Sequence, residues 1–309
     1  MMMKRWNLFL LLGLSSNSLW AACDAPVTIN NHDVCKLDKP QTVIIQKKIT
    51  KLRADPDLDI RLENAQTALK AKVLELGQTN PKLAIMYFHL GDLYQDKNDY
   101  SQALLMYKYA LTLYKKNQAA NIVVLNSIYN HIGNIYSAKQ ENELAEDNYK
   151  QSLLLLDTDK HPYVMERFTS FNNLAEHFRT NQQSNKALLY YKMSEKLVNQ
   201  FFKKDKDINY ALFKNNFALF YKDQNKLEES EKLFREALIC IEQVKGKDSV
   251  IAALTLDNMG DLAIKQAQPE QARLYYEKSL RIFNKNKEAD ENSTRVLTKL
   301  ASLGERKVY

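Results

Sequence analysis

A side-chain amide carries a donor and an acceptor in one plane, so it can pair with the C=O and the N–H of an extended peptide together. Asparagines set at a fixed interval would hold such a backbone with little regard to its sequence. This 309-residue chain carries such a row. It is counted from small residues at Gly91, Gly133, Ala175, Ala218 and Gly260, taking the positions three before, two before and one after each. They read Phe88, His89, Asp92; Asn130, His131, Asn134; Asn172, Asn173, Glu176; Asn215, Asn216, Leu219; and Asp257, Asn258, Asp261. Seven of these fifteen are Asn, none is Lys or Arg, and Asp92, Glu176, Asp257 and Asp261 make the set acidic. An acidic or neutral row of this kind suits a neutral or basic extended segment. His89 and His131 hold equivalent places, but two imidazoles without a third ligand make a poor metal site, so polar lining residues and no metal are expected. No His/Cys/Asp ligand cluster, Gly-rich phosphate loop or nucleophile elbow occurs, so a non-catalytic protein without a cofactor is expected.

The elements that must position this row repeat with it. The small anchor residues lie 42, 42, 43 and 42 positions apart. Twelve residues after each comes another small residue (Ala103, Ala145, Ala187, Ser230, Ala272). An aromatic follows four later (Tyr107, Tyr149, Tyr191, Phe234, Tyr276), and a further small residue seven later (Ala110, Ser152, Ser194, Ala237, Ser279). Offsets of three, four and seven put side chains on one helix face. The spacing predicts a helix A around Tyr87 to Tyr94, a polar turn at Asp96 to Asp99, and a helix B around Ala103 to Ala110. Small residues let paired backbones approach, and the aromatics fill the space beside them. A period of this length marks stacked supersecondary units whose A helices line a concave face. The fourth copy is the weakest, with Lys214 where an aromatic or Leu is expected.

Leu90-Gly91-Asp92-Leu93-Tyr94 followed by Ala103-Leu104-Leu105-Met106-Tyr107 resembles the signature of the tetratricopeptide repeat family. The extra residues here fall between helix B and the next helix A. Leu76 to Pro81, and His161-Pro162 followed by Asn172-Asn173-Leu174-Ala175, are similar to the longer kinesin-light-chain type of repeat. The resemblance covers about Asp57 to Asn284. It implies an all-α, right-handed superhelical solenoid of antiparallel helix pairs. It also implies that the asparagine row contacts bound peptide. Chaperone-binding members grip a terminal carboxylate with basic residues at these positions, and none is basic here, so a carboxylate clamp is not expected.

The chain ends read differently. Lys4 and Arg5, the apolar run Leu8 to Leu14 and the small residues Ala21-Ala22-Cys23 predict a signal peptide over 1–22. No second apolar stretch approaches membrane length. Residues 23–39 are expected to form a loop segment, 40–77 a degenerate helix pair, 78–284 the five repeats, and 285–309 a linker and capping helix. The degenerate pair places Ile45, Ile49 and Leu52 in its helix A, and Ala65 and Ala68 at the small positions of its helix B. Trp20-Ala21-Ala22-Cys23 resembles a bacterial lipoprotein box, although Trp20 departs from its aliphatic position. Three fates of Cys23 stay open: a lipid anchor, a disulfide with Cys35 in an oxidising compartment, or removal. Cys240 sits at a core position beside Leu238 and Ile241. The net charge of +7 falls to +5 without the leader, 42 basic against 37 acidic residues. With 26% charged residues on amphipathic helices this is a solvated surface. The densest basic cluster is Lys203-Lys204-Asp205-Lys206, and no nucleic-acid partner is expected. The expectation is an exported interaction module in the periplasm or envelope of a Gram-negative bacterium, or secreted, that binds an extended protein segment. The alternatives are an envelope scaffold that self-assembles and a sensor of peptide signals.

Overall fold

The computed structural model describes residues 56–115, 122–156, 163–204, 206–286 and 290–305. The leader, Cys23, Cys35 and the expected helix A at Ile45, Ile49 and Leu52 lie outside those residues. Among the described residues all regular structure is helical: α1 (Pro56–Leu76), α2 (Ala84–Asp96), α3 (Tyr100–Lys115), α4 (Ile122–Ala138), α5 (Asn142–Leu154), α6 (Val164–Thr180), α7 (Ser184–Phe201), α8 (Ile208–Asp223), α9 (Leu227–Lys245), α10 (Val250–Lys265), α11 (Pro269–Lys285) and α12 (Asp290–Glu305). None of these helices is long and apolar enough to cross a membrane. The chain divides into two compact units, one ending at Met106 and the other beginning at Tyr107. That division falls inside the first repeat, where the sequence gives no boundary signal.

The local chemistry explains where the helices begin and turn. Asn80 caps a short 3₁₀ turn (Pro81–Leu83) before α2, accepting from the Lys82 N–H at 3.0 Å. Asp207 caps α8 through the Asn209 N–H at 2.9 Å, and Ser249 caps α10 through the Ala252 N–H at 3.3 Å. Every A–B turn reverses through a left-handed residue seven after the anchor: Asn98 (φ 61°), Gln140 (64°), Gln182 (59°), Asn225 (60°) and Ala267 (58°). The next N–H then returns to the carbonyl five residues earlier, as from Asp99 to Tyr94 at 2.9 Å and from Gln268 to Ala263 at 2.8 Å. These bonds satisfy carbonyls that a helix end leaves open. Such short turns make consecutive helices antiparallel.

In the first unit, α1 packs against α2 through buried Leu62 and Leu69, and the Gln66 amide donates to the Tyr94 hydroxyl at 2.7 Å. Ala65 is half-buried and Ala68 exposed, so the small positions expected there are less enclosed than Leu62 and Leu69. In the second unit the pairs α4–α5, α6–α7, α8–α9 and α10–α11 stack as a solenoid. Ala145, Ala187, Ser230 and Ala272 are fully buried, as the close approach of the paired helices requires. Gly133 and Gly260 lie directly against the rings of Tyr149 and Tyr276. Lys214, the odd residue of the fourth copy, is buried yet paired: its ammonium lies 3.0 Å from Glu236 and 5.2 Å from the Tyr210 ring centroid. At the C-terminal end, α12 covers the last pair with buried Val296 and Leu303, while Leu297 is 53% exposed. A capping helix with a polar outer face has this division.

Candidate functional site

The second unit contains twelve of the fifteen row positions, carried by α4, α6, α8 and α10. Asn130, Asn172, Asn173, Asn215, Asn216, Glu176, Leu219 and Asp257 are buried. His131, Asn134, Asn258 and Asp261 are half-buried. In the first unit Phe88, His89 and Asp92 on α2 are half-buried, with the His89 Nδ1 3.8 Å from the Asp92 carboxylate. The row is thus more enclosed than a freely presented lining would be, and its hydrogen bonds show why.

Successive A helices bond to one another through the amides. Asn173 on α6 donates to the Oδ1 of Asn130 on α4 at 3.1 Å, and Asn258 on α10 donates to the Oδ1 of Asn215 on α8 at 3.3 Å. Asn130 in turn donates to the Asn126 carbonyl and to the Ser170 hydroxyl, each at 3.0 Å. Asn126 and Ser152 also reach Ser170, at 3.0 and 2.9 Å. Asn130 and Asn215 therefore spend their acceptors inside the protein instead of facing a ligand. Sequence reasoning missed Asn126 and Ser170, because single polar residues on a helix face carry no periodic signal, and it read Ser152 only as a small packing residue.

The position one after the anchor has a second internal use. The Tyr149 hydroxyl donates to the Asn134 Oδ1 at 2.7 Å and the Tyr276 hydroxyl to the Asp261 Oδ1 at 2.8 Å. Tyr191 donates to Glu176 in the same way. In the remaining copy the acceptor is replaced by Leu219, and the aromatic is Phe234, which has no hydroxyl to satisfy. The match of Tyr with a polar residue and Phe with Leu, at a constant offset of fifteen, was readable in the sequence. His131 is similarly occupied, with its Nδ1 3.3 Å from the Tyr107 hydroxyl.

Charge along this face differs from the expectation of an unrelieved acidic lining. Four residues after their anchors stand Arg179 and Lys222, which the three-position count did not include. The Arg179 guanidinium binds Glu176 at 3.0–3.2 Å and also pairs with Asp223 on α8. The C-terminal helix supplies two more cations. Arg295 and Lys299 of α12 hold Asp257 at 3.0 and 2.7 Å, and Lys299 also reaches Asp261 at 2.7 Å. Lys222 lies 3.9 Å from the same Asp261. Burial would raise the Asp261 carboxyl, but Lys299 and Lys222 outweigh it and hold the group below its ordinary range. Burial pushes Glu176 up, with Arg179 opposing it, and burial holds the His177 imidazole below its usual range beside Ser137, which it meets at 3.0 Å. Two of the four expected acidic residues are thus neutralised by the chain's own last helix.

One rung of the ladder is missing. Asn216 on α8 does not bond Asn172 on α6, and its Oδ1 takes the Asn215 side chain instead, at 3.3 Å. The Oδ1 atoms of Asn172 and Asn173 and the hydroxyl of Ser194 are buried with no hydrogen-bond partner.

Models of the tetratricopeptide repeat match residues 84–117, 127–155 and 210–285. The crystal structure of BtubC (BKLC) from P. vanneervenii superposes with a TM-score of 0.58 at 18% identity, covering 73% of this chain and 90% of that one. YrrB, described as a TPR protein with an unusual peptide-binding site, aligns at a TM-score of 0.39 and 19% identity, over 74% of this chain and 98% of that one. No curated protein sequence matches the chain. The repeats imply a protein–protein interaction module, and the fold is that of a tetratricopeptide solenoid.

Proposed function

We propose that this chain, which belongs to the tetratricopeptide-repeat family, is an exported, non-catalytic module that captures an extended segment of another protein along its A helices. The observation that carries the reading is the in-register strip of amides on α4, α6, α8 and α10. Amides can exchange a bond to a neighbouring helix for a bond to a peptide backbone, because both partners offer the same donor and acceptor groups. A neutral or basic segment suits the strip, since Glu176 and Asp223 share one arginine and Asp92 lies at the same position in the first repeat. Export rests on the leader-like residues 1–22, which place the partner in a bacterial envelope or outside the cell, with Cys23 as lipid anchor, disulfide partner or lost residue. Enzymatic chemistry has no part in this reading.

A second reading, a scaffold that assembles through its outer faces, draws on one observation. Leu188, Leu189 and Met193 of α7 are exposed together on the second unit. One experiment separates the two readings. Asn173→Ala with Asn216→Ala is expected to abolish partner capture from envelope extracts while leaving helical content unchanged by circular dichroism. Undiminished capture by that variant removes the amide strip as the binding surface.

A further inference from the structure

Two junctions of the second unit have the same backbone plan but different polar chemistry. At the α4–α6 junction, Asn126, Ser152, Ser170 and Asn130 form a closed network, and Asn173 completes it. One repeat on, the places of Asn126 and Ser170 are taken by Phe168 and Phe213, both fully buried. Ser194 and Asn172 keep the places of Ser152 and Asn130, but two of their former partners are now aromatic, and Asn216, which stands in the place of Asn173, accepts from Asn215 and does not donate to Asn172. Asn172 and Asn173 are each 1% exposed and their Oδ1 atoms have no donor. Buried acceptors without donors are rare in folded proteins, and each one requires an explanation.

The chemistry of this junction is one-sided. Asn172 and Asn173 are consecutive on α6, and Glu176 follows about one turn later. Glu176 and Asp223 share the single guanidinium of Arg179, so two carboxyl groups meet one cation there. A group that brings only donors and a positive charge fits this setting. A carboxamide would add an acceptor of its own, and an ammonium lacks a planar array of donors. A guanidinium has five N–H donors in a plane and no acceptor. We propose that the α6–α8 junction is an arginine subsite: an arginine side chain of the captured segment enters as α6 and α8 part and donates to Asn172 and Asn173. The unmet acceptors favour that parting, because they gain partners only in the bound state. The subsite rests on the groove reading above and fixes the register of a segment that the other amides hold without regard to sequence.

The test uses the full chain and short fluorescein-labelled Ala/Thr peptides whose central residue is Arg, citrulline or Leu, titrated by fluorescence anisotropy. The Arg peptide is expected to bind about tenfold or more tighter than the other two, the range set by charge-assisted hydrogen bonds. Asn172→Leu removes an orphaned acceptor without removing any hydrogen bond of its own. It is expected to raise the thermal midpoint and to erase the preference for Arg. Equal binding of all three peptides overturns the subsite and leaves groove capture standing, while failure of every peptide to bind overturns both. A lowered midpoint in Asn172→Leu also overturns it, since the acceptor would then be satisfied by water in the free protein.

Discussion

Replacing Gly260 by Ala adds one methyl group at the point where α10 lies closest to α11. A Cβ at that position would stand 2.3 Å from Cε1, 2.5 Å from Cδ1 and 2.9 Å from Cζ of Tyr276, whereas ordinary contact begins at 3.4 Å. The ring must move by about 1 Å, and little around it gives. Tyr276 is buried, its hydroxyl is held by Asp261 at 2.8 Å, and the Lys299 ammonium lies 5.3 Å from its centroid. Overpacking of this kind costs about 1–3 kcal/mol, and loss of the hydroxyl bond adds about 1 kcal/mol. Against this, Ala gains up to about 1 kcal/mol over Gly in a helix interior. The net expectation is a destabilisation of about 1–3 kcal/mol, read as a lower urea midpoint at unchanged slope in a circular-dichroism titration. Gly133→Ala should lose less, because its Cβ would meet Tyr149 at 2.6 Å. Helix propensity alone predicts the opposite sign for both. A raised midpoint for Gly260→Ala would therefore refute the idea that glycine is needed there for close approach.

Two further outcomes follow from the same geometry. The Asp261 carboxyl is held below its ordinary value of 3.8, so in the window beneath that value the unfolded chain binds more protons than the folded one, and stability falls as pH falls. Asp261→Asn should flatten the decline of the urea midpoint below about pH 4, and equal slopes in both proteins would show that Lys299 and Lys222 do not act on it. Ala267 sits at φ 58°, a conformation that costs a non-glycine residue about 1–2 kcal/mol, against roughly 0.5–1 kcal/mol of extra chain entropy for Gly. Ala267→Gly should therefore raise the thermal midpoint slightly, by about 0.5–1 kcal/mol in free energy, and a fall would count against strain at the turn.

How much of this was legible without coordinates depends on the kind of signal. The helix pairs were, because Gly133, Ala145 and Tyr149 recur at offsets that only a helix face and a close helix contact explain. The polar side of the A helices was legible as a list of residues but not as a set of bonds. Whether Asn130 faces solvent or Ser170 depends on a residue forty positions away, and no periodic pattern reports it. The charge balance was misjudged for a related reason. Arg179 and Lys222 lie one turn beyond the positions counted, and Lys299 belongs to a helix that looks like a cap. Its place corresponds to one more A helix, so it meets Asp257 and Asp261 as the next repeat would. The pairing of Leu219 with Phe234 is the instructive miss, since both residues were visible and only the reason for comparing them was absent.

A row of amides that bonds fully to itself is a structural device, however well it matches a binding motif. Asn173 to Asn130 and Asn258 to Asn215 are closed rungs, and a peptide can use them only by replacing a bond of equal quality, which adds little affinity. The preference for one segment over another must come from groups that gain a partner on binding. The Oδ1 atoms of Asn172 and Asn173 are such groups, and near them Phe168 and Phe213 have displaced the hydroxyl and amide of the network one repeat earlier. Selectivity would then arise from the asparagines left unsatisfied where Asn216 does not complete a rung, and less from the closed rungs that make the row conspicuous. This also bears on the Asn173→Ala with Asn216→Ala test. Asn173 lies at both a closed rung and the open junction, so its loss should weaken capture more than the loss of Asn258, which has only a closed rung to give up.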